Sequence, residues 1–144
     1  MPPFTVRLID HVVLRVRDLE RSVHFYAVAL GCAVERRRPD LGLVHLRAGA
    51  SLVDLVDLNG KLGRMGGAGP GQEGRNVDHL CLRIDSFEER ALVSHLSAHS
   101  VPLRGSVTQN FGAEGVGPSL YVEDPDGNIV ELKGPPVRAG ESDA

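Results

Sequence analysis

The chain has 144 residues, enough for one compact domain or two closely paired half-domains with a real hydrophobic core. Its 16 Lys and Arg against 19 Asp and Glu give a net charge of −3, so it lacks the broad basic surface that nucleic acid requires. Charged residues interrupt every apolar run, and the first residues have no signal-peptide pattern, so we expect no membrane span and a cytoplasmic location. Two cysteines, Cys32 and Cys81, are too few for a disulfide framework and are expected to be buried apolar side chains.

The first predicted strand recurs later in the chain. Residues 10–16 read DHVVLRV and residues 78–84 read DHLCLRI, an offset of 68 residues. In both copies apolar residues alternate with a second face that carries a histidine, His11 or His79. Because a repeat at a fixed offset marks a duplicated unit, we predict two copies of one module.

A helix is predicted after each of these strands. In the first copy Asp18 is the predicted N-cap, apolar residues follow at helical spacing, and Gly31 ends the helix. In the second copy Ser86 is the predicted N-cap with Glu89 three residues later, a capping-box pattern, and the helix ends near Pro102.

Each copy closes on a strand with an acidic residue at the matching position. Residues 52–55 read LVDL and residues 129–132 read IVEL, which places Asp54 and Glu131 at an offset of 77. In the second copy the motif DPDG at residues 124–127 predicts a tight turn, so Ser119 and Tyr121 lie on the strand that pairs with the closing strand.

These patterns divide the chain into two modules. We predict a first module over residues 8–58, a flexible glycine-rich linker over 59–75, a second module over 76–133 and a disordered tail over 134–144. A strand, a helix and three further strands cannot bury both faces of a sheet alone. The predicted fold is therefore α+β, with two βαβββ modules that form a cup-shaped mixed sheet.

Strand alternation directs four candidate metal ligands into this cup: His11, Asp54, His79 and Glu131. Imidazole and carboxylate groups bind Zn²⁺, Ni²⁺, Mn²⁺ or Fe²⁺ and leave coordination positions open for a substrate. Two histidines at equivalent repeat positions, each beside an aspartate, favour a divalent metal site. Repeat ancestry alone is the alternative, with the cup serving as an empty binding site.

Two segments carry a resemblance to a known family. The stretch DLERSVHFY at residues 18–26, with Leu30 and Gly31, resembles the opening of vicinal oxygen chelate proteins, and VEDPDGNIVEL at residues 122–132 resembles their closing hairpin. The superfamily includes glyoxalase I, extradiol dioxygenases and metal-free drug-binding proteins. The resemblance implies that His11, His79 and Glu131 are metal ligands. It also implies that Asp54 matches a fourth ligand, usually Glu, whose arm is one methylene longer.

The resemblance further implies roles for other residues and a choice of reactions. Glu131 is the candidate base, Tyr121 a candidate catalytic residue, and Arg15, Ser119 and Tyr121 candidate substrate contacts. The leading hypothesis is a metal-dependent glyoxalase-like lyase or isomerase acting on a small oxygenated molecule. The alternatives are an extradiol-type Fe²⁺ dioxygenase and a non-catalytic, resistance-type binding protein.

Three further expectations follow. Resemblance to short family members implies a homodimer whose metal sites are shared between chains, with His11 from one chain and His79 and Glu131 from the other. The alternative is a monomer whose two modules close on each other, which the linker length also permits. His45, on the same strand face as Arg47, is interpreted as a solvent-side histidine. Cys81 shares its strand face with His79, and a packing role is favoured over a nucleophilic one.

Overall fold

The computed structural model describes residues 1–137. The chain divides into two compact units at Gly69 and Pro70, and each unit contains one of the repeated modules. Among residues 1–137, none of the helices combines the length and the apolar character needed to cross a membrane.

The first unit holds a four-stranded mixed sheet and one helical segment. Its elements are β1 (His11–Val16), α1 (Leu19–His24) continued by a π-helical turn (Phe25–Ala29), β2 (Val34–Arg38), β3 (Leu43–Ala48) and β4 (Ser51–Asp57). The strand order is β1-β4-β3-β2. Strand β1 runs parallel to β4, and the other neighbours are antiparallel.

The second unit repeats this topology. Its elements are β5 (Leu80–Arg83), α2 (Glu89–Ala98), β6 (Leu103–Gly112), β7 (Gly115–Glu123) and β8 (Ile129–Lys133). The order β5-β8-β7-β6 matches that of the first sheet, with β5 parallel to β8. The predicted α+β class and the two βαβββ modules are confirmed.

The helix starts were predicted with mixed success. Asp18 caps α1 as expected, because its carboxylate accepts a hydrogen bond from the Arg21 amide at 3.1 Å. The predicted N-cap at Ser86 is wrong: Glu88 caps α2 and accepts from the Ala91 amide at 2.7 Å. The longer Glu side chain reaches the amide three residues on and satisfies a free donor of the first turn, which starts the helix later than the Ser86 pattern indicates.

Strand register confirms that the two acids occupy equivalent places. Asp54 lies opposite Val13 in the first sheet, and Glu131 lies opposite Cys81 in the second. In the first unit Leu14 and Leu55 are fully buried in the core, so the alternation predicted from sequence separates a core face from the face that carries the acids.

Residues on either side of the second module's predicted boundaries also have defined contacts. Within the glycine-rich segment, Gly63–Gly66 form a 3₁₀ turn. Beyond β8, the Gly134 amide donates to the Pro118 carbonyl at 2.8 Å and the Val137 amide donates to the Val116 carbonyl at 2.7 Å. The chain therefore continues beside β7 as far as Val137, and the rest of the tail predicted to be disordered, residues 138–144, lies outside the described residues.

Candidate functional site

Glu131 is the centre of the best-connected polar cluster on the second sheet. Its side chain is buried on β8, with only 5% of the residue exposed. Oε2 accepts a hydrogen bond from the Ser119 hydroxyl at 2.6 Å, and Oε1 accepts one from the Tyr121 hydroxyl at 3.1 Å. The ladder explains these contacts, because Tyr121 lies directly opposite Glu131 and Ser119 is two residues along β7 on the same face. We call this side of the sheet the site face.

His79 completes this cluster. Its Nδ1 lies 2.7 Å from Asp78 Oδ1, and its Nε2 lies 3.2 Å from Glu131 Oε1. Since the Asp78 carboxylate can only accept, Nδ1 carries the proton in that contact, and Nε2 is the ring atom turned toward Glu131. The imidazole ring also contacts Tyr121 edge to face, with centroids 5.7 Å apart. The structure thus brings together four residues that the sequence predicted: His79, Glu131, Tyr121 and Ser119.

His11 in the first unit repeats the same pairing. Its Nδ1 lies 2.7 Å from Asp10 Oδ1, as His79 does from Asp78. The hydrogen bond to Asp10 raises the pKa of His11, desolvation opposes this shift, and the charge of Asp54 adds to it. A carboxylate on Nδ1 orients the ring and leaves Nε2 as the ligating atom, an arrangement typical of histidines that bind metal.

Asp54 has a partner that the sequence analysis assigned elsewhere. This carboxylate is 4% exposed, and its Oδ1 lies 2.8 Å from His45 Nδ1. The interpretation of His45 as a solvent-side histidine is wrong. The signal was present in the sequence: the two-residue turn at Gly49 and Ala50 fixes the β3–β4 register, and that register places His45 directly opposite Asp54.

Arg15 makes its contacts with the glycine-rich segment of its own unit. The guanidinium donates to the carbonyls of Gly63, Gly67 and Ala68 at 3.3, 3.1 and 2.9 Å. A Cβ at Gly66 would lie 2.4 Å from Arg15 Nη1, so a larger residue there would displace the guanidinium from these carbonyls. These contacts give Arg15 a structural role in holding the segment, beside the substrate contact predicted for it.

The two cysteines differ. Cys32 is buried as expected, whereas Cys81 is exposed, so the expectation that both are buried is wrong for Cys81. Desolvation and the charge of Glu131 raise the pKa of Cys81 to about 11, against the opposing charge of Lys133. A thiol with this pKa is protonated at neutral pH, which argues against a nucleophilic role.

Tyr121 acts as a hydrogen-bond donor in this cluster. Partial burial is the largest cause that raises the pKa of its hydroxyl, and the hydrogen bond to Glu131 raises it further. The hydroxyl therefore remains protonated near neutral pH and keeps donating to the Glu131 carboxylate.

Sequence reasoning missed Lys133 altogether. This lysine ends β8 on the site face, and only 7% of the residue is exposed. In the ladders it lies opposite Arg83 on β5 and Ser119 on β7. A lysine at the end of a strand usually extends into solvent, so its own position in the sequence carried no signal of burial.

The donor groups of the second unit fit a divalent metal by their chemistry, because His79 Nε2 and Glu131 Oε1 are adjacent, at 3.2 Å. Within the first unit, Asp10 orients His11 in the same way as Asp78 orients His79. Across residues 1–137, no three His, Cys, Asp or Glu side chains are already gathered at the spacing of a metal site. A cation between Nε2 and the carboxylate would join two lone-pair donors that otherwise face each other.

Comparison with known proteins agrees with this fold. A family model described as the Glyoxalase/Bleomycin resistance protein/Dioxygenase superfamily matches residues 8–132. The virulence protein STM3117 of Salmonella typhimurium is 30% identical over 129 residues, covering 86% of this chain and 81% of that protein. The glyoxalase domain-containing protein RDO1 of Mycosarcoma maydis is 31% identical over 129 residues, covering 89% of this chain and 68% of that protein.

Solved structures show the same fold. The crystal structure of STM3117 superposes with a TM-score of 0.75 at 24% identity, covering 91% of this chain and 98% of the other. A lactoylglutathione lyase from Agrobacterium tumefaciens superposes with a TM-score of 0.63 at 24% identity, covering 92% and 96%.

Proposed function

Because the chain belongs to the Glyoxalase/Bleomycin resistance protein/Dioxygenase superfamily, we propose that it is a metal-dependent enzyme with glyoxalase-like lyase or isomerase chemistry on a small oxygenated substrate. One observation carries the proposal: the Nε2 atom of His79 lies 3.2 Å from the Oε1 atom of Glu131, while Asp78 holds the opposite ring nitrogen. A buried carboxylate beside an oriented imidazole is the donor pair that such a metal requires.

In this proposal His11, His79 and Glu131 hold a divalent ion, Zn²⁺, Ni²⁺, Mn²⁺ or Fe²⁺. An ion held there would supply Lewis-acid stabilisation of negative charge that develops on substrate oxygens. Asp54 is at most a weaker ligand, because its carboxylate already accepts from His45 at 2.8 Å and its arm is shorter than that of Glu131.

Glu131 is the proposed base. The proton moves from a substrate carbon beside a carbonyl to a Glu131 carboxylate oxygen, and the electron pair of the C–H bond passes to the carbonyl oxygen. Ser119 and Tyr121 donate to the two carboxylate oxygens, which fixes the direction in which Glu131 presents its remaining lone pairs. Glu131 then returns the proton to the neighbouring carbon.

Extradiol ring cleavage is the second candidate. It is favoured by the Tyr121 hydroxyl, 3.1 Å from Glu131 in a cluster that also contains His79. Oxygen consumption with Fe²⁺ and catechol would support this candidate over the first. Tight binding of small molecules without turnover or bound metal would instead favour a resistance-type binding protein.

The proposed assembly is a cytoplasmic homodimer with metal sites shared between chains. In this arrangement His11 comes from one chain, and His79 and Glu131 come from its partner. A C₂ dimer would then hold two equivalent sites. Mixing His11→Ala chains with Glu131→Ala chains tests it, since subunit exchange would regenerate one intact site per heterodimer. Verified exchange without recovery of metal binding would exclude shared sites.

The function is tested by metal titration followed by a proton-exchange assay. We expect His79→Ala to lose divalent metal affinity in calorimetry, while His24→Ala, a matched change of an exposed helical histidine, binds as the wild type does. Once the bound metal is identified, the metal-loaded protein should exchange hydrogen for deuterium at a substrate C–H beside a carbonyl, and the Glu131 variant should lose this exchange. Metal affinity that is unchanged in the His11, His79 and Glu131 variants would refute the proposal.

A further inference from the structure

Lys133 carries a charge that the proposed reaction does not use. It lies on the site face two residues beyond Glu131 and is 7% exposed. The aliphatic part of this side chain is buried, whereas Nζ is not among the fully buried polar atoms that lack a partner. A lysine held in this way keeps its ammonium group accessible to an anionic ligand.

Two glycines make room for the lysine side chain. A Cβ at Gly117 would lie 2.9 Å from Lys133 Nζ, and a Cβ at Gly112 would lie 2.6 Å from Lys133 Cε. The aliphatic chain thus crosses the sheet over β7 and β6, where any larger residue would collide with it. This cradle holds the ammonium against the site face.

The neighbouring charged groups are already engaged. Glu131 accepts from Ser119 and Tyr121, and the Arg83 guanidinium pairs with Glu114 at 2.9 Å. Among residues 1–137, no acceptor forms a hydrogen bond or an ion pair with Lys133 Nζ. The aliphatic chain of Lys133 is buried, its ammonium end is not fully enclosed, and this end is available to an anionic group.

We propose that Lys133 binds a carboxylate of the substrate, an inference that rests on the proposed function and names its substrate class. One ammonium matches the single charge of a carboxylate, whereas a phosphate dianion would require a second cation and Arg83 is already paired. The substrate is an oxygenated acid with two chelating oxygens near Glu131 at one end and a carboxylate at the other. The strand positions of Glu131 and Lys133 are separated by roughly 7 Å, and the lysine side chain extends further over Gly117, so the spacer has two or more carbons.

A purely structural role for Lys133 makes a different prediction. If the lysine only offsets the negative charge of Glu131, its removal lowers stability or metal affinity but leaves the choice between charged and uncharged substrates unchanged. Ligand selectivity therefore separates the two roles, and stability does not.

The test compares two ligands of similar shape, 2-oxoglutarate and 5-methyl-2-oxohexanoate, which share the chelating head and differ in whether the tail ends in a carboxylate. Calorimetry measures both with the wild type, Lys133→Met, Lys133→Gln and the matched control Lys61→Met, which changes an exposed lysine. We expect the wild type and the control to prefer the charged tail by about tenfold or more, and both Lys133 variants to lose that preference. Equal preference in the variants, or no preference in the wild type, would overturn the proposal.

A second measurement needs no variant. The chain contains two lysines, Lys61 and Lys133, so ¹³Cε-lysine labelling gives two resolvable signals. 2-Oxoglutarate should shift the buried lysine signal, and 5-methyl-2-oxohexanoate should not. The two proposals fail in different ways. A wild type that binds no metal in the titration refutes the proposed function. The two ligand experiments are repeated in EDTA, and the preference for the charged tail in metal-free protein still decides the role of Lys133.

Discussion

The two units share one backbone plan but give their buried acids different partners. Asp54 and Glu131 occupy the same ladder position, and the residues opposite them on the next strand are His45 and Tyr121. Asp54 faces His45 on the neighbouring strand, whereas Glu131 faces the neutral donors Tyr121 and Ser119 and has Nε2 of His79, from the start of its module, 3.2 Å away. The duplicated fold thus yields one acid whose histidine lies on the adjacent antiparallel strand and one acid whose histidine is the predicted metal ligand His79.

The next row of side chains shows the same divergence. In the first sheet Leu43 lies opposite Val56, and in the second sheet the equivalent pair is Ser119 and Lys133. An apolar pair packs and needs no partner, but a hydroxyl beside a largely buried lysine side chain creates a polar row. The second unit therefore has polar side chains next to its acid, whereas the first unit has an apolar pair next to Asp54.

The largest expected effect tests whether the two acids differ in metal binding. We predict that Glu131→Gln lowers divalent metal affinity by about 100-fold or more, because it removes a charged ligand, and that Asp54→Asn lowers it by less than about tenfold. Both changes are isosteric, so calorimetry compares the two positions directly. Equal losses would mean that the acids act alike and that Asp54 is a full ligand.

The second prediction concerns the contact between His45 and Asp54 in the first unit. His45→Ala leaves the buried Asp54 carboxylate without its partner and should lower the free energy of unfolding by about 2–3 kcal/mol. His24→Ala, an exposed control, should change it by less than about 0.5 kcal/mol. Urea denaturation measures both, and His45→Ala combined with Asp54→Asn should recover part of the loss because no buried charge remains.

Much of this contrast was accessible from the sequence, because it depends on local patterns. The DH repeat and the two closing strands located His11, His79, Asp54 and Glu131, since alternation along a strand assigns faces without knowledge of the rest of the fold. His45 was assigned to solvent because the β3 pattern was considered without the turn that sets its register.

Lys133 could not have been recognised in this way. Its burial depends on Gly112 and Gly117, which lie on two other strands and leave space only after β6, β7 and β8 have paired. The N-cap of α2 also depends on the folded backbone, although only on nearby residues. Ser86 and Glu88 both offer an acceptor, and the backbone geometry decides which of them caps the helix.

The third prediction ranks the two hydroxyls that hold Glu131. Ser119 is fully buried and bonds at 2.6 Å, whereas the Tyr121 bond is 3.1 Å and partly exposed. We expect Ser119→Ala to cost about 2 kcal/mol and Tyr121→Phe about 1 kcal/mol in urea unfolding. Ser51→Ala, whose hydroxyl donates to the Ile9 carbonyl at an exposed site, is the control and should cost less than either. A Tyr121 effect larger than that of Ser119 would reverse the ranking.

The smallest expected effects come from changing the turns that fix the strand register beside each acid. Gly49 and Gly127 have φ of +60° and +80° in the turns before β4 and β8, and no atom lies close enough to obstruct an added Cβ at either position. Each change to alanine should therefore cost about 1 kcal/mol of backbone strain, and Gly74→Ala, without a positive φ, should cost less than about 0.5 kcal/mol.

The two turn variants should differ in their effect on the acids. In the second turn Asp124 Oδ1 also accepts from the Asp126 and Asn128 amides at 2.9 and 2.8 Å, so the hairpin keeps its register when Gly127 is strained. In the first unit the backbone turn alone joins β3 to β4 over two residues, so Gly49→Ala should also loosen the contact between His45 and Asp54. NMR chemical shifts of the His45 ring report this loosening, and the Tyr121 ring reports the second unit. Equal disturbance at both acids would show that the Asp124 hydrogen bonds do not protect the second register.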